Sequence, residues 1–310
     1  MDRPLTTSEV PPRFLNTALL VGHIPHRALA SDPRLSYSLY IPPEHYSHGA
    51  GVEGVDPVPA KLPLVVSIHG TRRHFRDIYD LVPFAESTPC AVLTPLFPTG
   101  LDGPNDIDSY KVLRSKTLRA DLALLSMLDE IAFRWPGIET AKIFLMGFSG
   151  GGQFAHRFLY LYPERIAAVS IGAPGRTTAL DDQQNWPAGI KDVEALFGKR
   201  VDKDLMKTVR IHLAIGSADV KLHGGEDFLN WLQQMKAQRN AGKPVANVTE
   251  GLQFVEQARI DTMQELRESW TCEDIETHLD IVEGVAHDSN GVRECVLAFL
   301  RPWILKQFNK

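Results

Sequence analysis

A chain of 310 residues with 44% hydrophobic and 23% charged residues carries enough apolar side chain for a sizeable core and no low-complexity stretch, so residues 1–310 are expected to fold as a single domain with room for an inserted cap. A net charge of −5 and a pI of about 6.1 give no field that would attract nucleic acid or an anionic membrane, which leaves a small molecule as the expected partner. Cys90, Cys272 and Cys295 are far apart and form no CxxC pair, which speaks against a disulfide framework or a cysteine zinc site and predicts buried thiols.

Residues 1–20 hold Asp2, Arg3, Glu9, Arg13 and the pair Pro11-Pro12, and so lack the apolar core of a signal peptide. No run approaches the ~20 apolar residues that span a bilayer. A cytoplasmic location is expected. Nothing in the sequence sets an oligomeric state.

The first 30 residues look irregular. Residues 35–41, Leu-Ser-Tyr-Ser-Leu-Tyr-Ile, alternate apolar and polar side chains as a half-exposed edge strand does. A Gly- and Pro-rich loop over 47–61 follows. Short continuous apolar runs then appear at 64–68, 91–94, 143–146, 166–171, 211–215 and, less cleanly, 279–282. Such runs suit strands buried on both faces of a mainly parallel sheet. Leu118, Leu122, Leu125, Leu128 and Trp135 recur at helical spacing, and so do Val292, Val296, Phe299 and Leu300. Alternating strands and helices predict a doubly wound α/β domain in three layers. Segments 176–208 and 221–275 exceed this minimal core, the second with helices near 227–238 and 252–270. They are expected to form helical cap insertions.

The chemistry centres on Gly147-Phe-Ser-Gly-Gly151. A buried strand precedes it and a helix follows, the context in which G-x-S-x-G has mechanical meaning. Glycines at 147 and 151 let the chain turn sharply, projecting Ser149 above the sheet edge. The helix N-terminus offers unpaired N–H groups, with Gly150 N–H as the first oxyanion donor. The turn fits neither G-x-G-x-x-G nor G-x-x-x-x-G-K-[ST], so nucleotide binding is not expected.

A serine hydroxyl needs a base, and the imidazolium then formed needs a carboxylate. Of the eleven histidines, only His287 follows the last strand and opens a turn before the C-terminal helix. Asp219 lies just after the run 211–215 and is the leading acid. It stands 68 residues before His287, so Asp261, Asp280 and Asp288 remain alternatives. The loop after 64–68 begins His69-Gly70-Thr71, where Thr71 N–H, and less favourably Gly70 N–H, would supply the second oxyanion donor. It continues through Arg72 and Arg73, either substrate-binding cations or solvated charges. His156 is expected to be a packed or exposed helix residue. No metal and no cofactor is expected, since ligand spacings of the H-E-x-x-H kind are missing.

Through His69-Gly70, Gly147–Gly151, Asp219 and His287 in this order, the chain resembles the α/β-hydrolase superfamily over roughly 35–303. The stretch Tyr37–Pro43 and the Gly-rich turn look most like the branch of poly(3-hydroxybutyrate) depolymerases and feruloyl esterases, and like hydrolases of fungal biosynthetic clusters, a setting of secondary metabolism. The resemblance implies a serine esterase that cleaves an ester, lactone or thioester by a Ser-His-Asp triad. Two other readings stay open: a condensation, cyclisation or C–C reaction on a biosynthetic intermediate, and a non-catalytic ligand-binding protein on the same fold.

Overall fold

A computed structural model describes residues 3–52, 54, 59–74, 77–220 and 259–309. The chain forms an eight-stranded sheet in the order β1-β2-β4-β3-β5-β6-β7-β8. The strands are β1 (Gly22–Ala28), β2 (Ser36–Ile41), β3 (Leu62–Ile68), β4 (Ala91–Leu96), β5 (Ile138–Phe148), β6 (Ile166–Gly172), β7 (Arg210–Gly216) and β8 (His278–Val282). The pairs β1–β2 and β2–β4 are antiparallel, and all later pairings are parallel. Every apolar run assigned to a strand from sequence lies in this sheet.

Helices cover both faces, as parallel strands require. Helices α1 (Asp77–Ser87) and α7 (Ser289–Phe308) enclose one core with Val65, Val92, Phe144, Ala168 and Ala214. Helices α2 (Ala120–Arg134), α3 (Gly150–Leu161) and α6 (Arg259–Thr271) lie over the other, with Leu64, Val66, Leu145, Val169 and Leu213. Alternating side chains of one strand thus feed two cores.

Two expectations about the first strands need correction. β2 is an inner strand, with Tyr37, Leu39, Tyr40 and Ile41 buried, because β1 pairs along its outer side. β1 lies within the stretch taken as irregular. The cysteines differ too: Cys90 is buried, but Cys295 is only partly covered and Cys272 is exposed.

Segment 176–208 contains two short helices, α4 (Val193–Phe197) and α5 (Lys203–Lys207). It packs against α3: Thr178 N–H donates to His156 Nε2 at 3.1 Å, and Tyr160 OH donates to Thr178 O at 2.6 Å. The helix expected near 227–238 lies outside the described residues, whereas the latter part of 252–270 is α6. No helix among the described residues is long and apolar enough to cross a membrane.

Candidate active site

Ser149 sits between β5 and α3 with φ 56° and ψ −114°, a conformation that costs a non-glycine residue of order 1–3 kcal/mol and needs surrounding structure to hold it. Its N–H donates to Gly172 O at 2.8 Å, and its C=O accepts from Gln153 N–H at 3.0 Å. The flanking glycines are demanded by contact. A Cβ on Gly147 would lie 2.4 Å from the Gly151 carbonyl carbon, and one on Gly151 would lie 2.1 Å from Ile68 O. The turn can close only where no side chain intervenes.

Asp219 and His287 come from loops that follow the adjacent strands β7 and β8. His287 Nδ1 donates to Asp219 Oδ2 at 2.6 Å. The ring also lies against Phe148, the residue before Ser149, with centroids 4.8 Å apart. The Asp219 side chain is fully buried. Burial alone would push its carboxyl pKa up, but the His287 hydrogen bond and charge, joined by Arg259, hold it below the ordinary value. With Nδ1–H committed to the carboxylate, Nε2 keeps a lone pair for accepting a proton.

The three oxyanion candidates gather at the same turn. A Cβ on Gly70 would lie 3.9 Å from Ser149 Cβ, and one on Gly150 would meet Thr71 Oγ1 at 3.0 Å. Gly150 is the first residue of α3, so its N–H is among those with no partner inside the helix.

No protein-family model matches the chain, and no curated protein matches it by sequence. Solved structures do match. The poly(3-hydroxybutyrate) depolymerase of Bordetella parapertussis superimposes with a TM-score of 0.58 at 18% identity, over 94% of this chain and 92% of that one. Poly(aspartic acid) hydrolase-1 of Sphingomonas sp. KT-1 gives 0.55 at 19% identity, over 85% and 92%. An S-formylglutathione hydrolase of Agrobacterium tumefaciens gives 0.54 at 14% identity, over 88% and 90%. This chain has the α/β-hydrolase fold. Ser149, Asp219 and His287 follow β5, β7 and β8 at the carboxyl ends of that fold's parallel strands, where open α/β sheets place their ligand crevices.

Of the other aspartates expected as alternatives, Asp280 and Asp288 are engaged elsewhere. Asp280 faces His212 and His278. Asp288 caps α7 by accepting from Asn290 N–H at 3.0 Å. Asp261 lies in the first turn of α6. His156 is packed rather than exposed: Nδ1 donates to Gly152 O at 2.9 Å, and burial holds its pKa well below the usual range.

Arg73 is tied into the loop. Its guanidinium donates to Phe97 O at 2.6 Å, Thr71 O at 2.7 Å and Ile107 O at 3.1 Å. This binds the loop bearing Gly70 and Thr71 to the strand-end segment after β4. Arg72 is exposed. His69 braces the same loop, with Nδ1 donating to Gly70 O at 2.9 Å and Nε2 accepting from Phe97 N–H at 3.0 Å. Burial, reinforced by the Arg73 charge, pushes its pKa down to about 3.

Three neighbours of the site escape sequence reasoning. Arg259, at the start of α6, donates through Nη1 to Asp219 Oδ1 at 3.0 Å. Tyr110 and Lys111, on a 3-10 turn over Ser109–Val112, flank Gly150: a Cβ there would meet Tyr110 OH at 2.4 Å and Lys111 Cε at 2.9 Å. The buried Lys111 ammonium pairs with Asp108. Burial lowers its pKa, and Asp108 pulls the other way. No spacing rule links these positions to Ser149, because the contacts are made across the fold.

Proposed function

We propose that the protein is a serine hydrolase that cleaves a carboxylic ester of a small molecule, with Ser149 as nucleophile, His287 as base and Asp219 as acid. The observation that carries this reading is the 2.6 Å hydrogen bond from His287 Nδ1 to a fully buried carboxylate, on a ring packed beside the strained Ser149 turn. The hydrolase neighbours of the same fold support it.

Ser149 Oγ attacks the ester carbonyl carbon while His287 Nε2 takes the hydroxyl proton. The negative charge on the carbonyl oxygen is met by Gly150 N–H and Thr71 N–H, with Gly70 N–H as a lesser candidate. One such donor is typically worth about 2.7–4 kcal/mol. The tetrahedral species collapses, the alkoxide leaves with the proton from His287, and Ser149 is acylated. Water then attacks the acyl carbon with His287 again as base, which frees the carboxylic acid and restores the serine hydroxyl. Asp219 stays ionised throughout and holds the imidazole in the tautomer with Nδ1–H.

Aryl acetates and short-chain aryl esters test the reading. The wild-type protein should turn them over and label at Ser149 with a fluorophosphonate. Ser149→Ala should lose both while keeping its circular dichroism spectrum. Full turnover in the folded Ser149→Ala protein would overturn the assignment.

A further inference from the structure

A second constellation lies toward the opposite end of the sheet's last two strands. In the parallel pair β7–β8, His212 is in register with His278 and Ala214 with Asp280. Because side chains alternate along a strand, His212, His278 and Asp280 share one face, the face covered by α7. Phe299 of that helix stacks on both imidazoles, with centroids 4.7 Å from His212 and 6.1 Å from His278.

The donor atoms converge. His212 Nε2 is 3.1 Å from Asp280 Oδ2, His278 Nε2 is 3.3 Å from Asp280 Oδ1, and one ligand atom from each of the three residues lies within 4.8 Å of the others. A tetrahedral ion with ligand bonds of about 2.0–2.1 Å has ligand–ligand edges of roughly 3.3 Å, the scale of these two spacings, each of which runs to a different oxygen of the Asp280 carboxylate. Two imidazoles and a carboxylate are the donor set of zinc and its borderline neighbours rather than of magnesium or calcium. His212 also has the outer support common to metal-binding imidazoles: its Nδ1 is 2.9 Å from Ser170 Oγ on β6, which fixes the ring plane and turns Nε2 toward Asp280, where an ion would replace the 3.1 Å Nε2–Oδ2 hydrogen bond. His212 is fully buried, whereas the Asp280 and His278 side chains are 35% and 60% exposed. Water has access to complete the coordination.

We propose that His212, His278 and Asp280 bind one divalent transition-metal ion of the zinc class. The site is separate from the ester-cleaving residues: His212 lies four residues before the end of β7, about 13 Å along the strand at ~3.3 Å per residue, and Asp219 follows beyond that end. Its role is to fasten β8 to β7. These are the two strands whose following loops carry His287 and Asp219, so the ion would secure the base of that pairing. The absence of metal expected from sequence rested on spacings within one segment. Here the ligands come from an i, i+2 pair on one strand and a single histidine 66 residues earlier on its neighbour, a proximity that only the register creates.

The full chain, stripped with a chelator and with its thiols alkylated, is titrated calorimetrically with zinc chloride and spectroscopically with cobalt chloride. One equivalent should bind at micromolar concentration, cobalt should develop the visible bands of a low-symmetry site, and zinc should raise the thermal midpoint. His278→Ala and Asp280→Asn, both at partly exposed positions, should each weaken zinc binding at least tenfold and remove the midpoint shift while leaving aryl ester turnover unchanged. Failure of the wild-type chain to bind a stoichiometric ion, or equal binding by both variants, would overturn the proposal. Since binding is read without turnover, its outcome is independent of the hydrolase reading.

Discussion

Asp219→Asn isolates what the carboxylate does for the imidazole, and Arg259 makes its outcome unusually definite. Among the described residues, two side chains bond the Asp219 carboxylate and both donate to it: His287 Nδ1 at 2.6 Å from Oδ2, and Arg259 Nη1 at 3.0 Å from Oδ1. Arginine has no acceptor, so the carboxamide oxygen must turn to Arg259 and its NH2 group must face His287. Nδ1 then has to accept, the ring proton moves to Nε2, and the imidazole offers Ser149 a donor where an acceptor is needed. The corresponding loss in a Ser-His-Asp site is about 10⁴-fold in kcat, or about 5.5 kcal/mol at ~1.36 kcal/mol per decade. The assay is aryl ester kcat and kcat/KM near neutral pH, beside circular dichroism. Removing one charge of a buried pair also weakens the fold, so the urea midpoint should fall as well. Adding Arg259→Met frees the carboxamide to rotate and should recover part of the lost activity. A folded Asp219→Asn protein that keeps more than a tenth of wild-type turnover would refute this account of the triad.

Gly151→Ala should destabilise the chain by at least about 2–3 kcal/mol, because overpacking against rigid backbone admits little relaxation and the new Cβ would fall 2.1 Å from Ile68 O; urea unfolding measures it. His69 links stability to pH. Its pKa falls from 6.5 to about 3 on folding, through burial and then the Arg73 charge, so below pH 6.5 the unfolded chain binds a proton that the folded chain refuses. The stability this residue contributes is therefore complete above about pH 6.5 and is lost progressively as pH falls toward 3. NMR should find the folded ring neutral, with its proton on Nδ1, at pH 5; a ring that protonates near pH 6 in the folded protein contradicts this.

The elements that sequence made legible are those whose physics is local. The turn at 147–151 demands glycine at fixed offsets from Ser149, and a continuous apolar run such as 64–68 must be covered on both faces wherever it sits. Asp219 and His287 could be chosen because each follows a recognisable strand. β1 escaped because Gly22-His-Ile-Pro-His-Arg-Ala28 is polar, contains Pro25 and shifts register between Ile24 and Arg27, so its alternation is broken. The polar residues of α3 were ambiguous for another reason. Every residue of that helix is buried, His156 and Arg157 included, so it has no solvent side against which a periodicity could be read. Arg157 keeps its place by donating to Thr178 Oγ1 at 2.9 Å and Lys111 O at 2.8 Å, partners supplied by two other segments.

Asp219 and His287 stand 68 residues apart, and the long connection between them supplies Arg259. A short β7–β8 connection would deliver Asp219 and His287 to the same edge but would leave the second carboxylate oxygen without a charged partner from this direction. The longer connection contains α6, whose first residue is Arg259 and whose far end is fastened to α3 and to the segment after β6: Trp270 Nε1 donates to Tyr160 OH on α3 at 2.7 Å, and Ser269 Oγ accepts from Leu180 N–H at 3.0 Å. A helix of 13 residues is a rod of about 20 Å at ~1.5 Å per residue. One end grips Asp219, and the other grips α3 at Tyr160, near the end of that helix away from Ser149. The carboxylate is therefore held by the loop that carries it, by the imidazole, and by a rod anchored on α3. A buried anion on a loop is in this way fixed on both of its oxygens, one by the imidazole and one by a guanidinium whose helix is itself bonded to the rest of the fold.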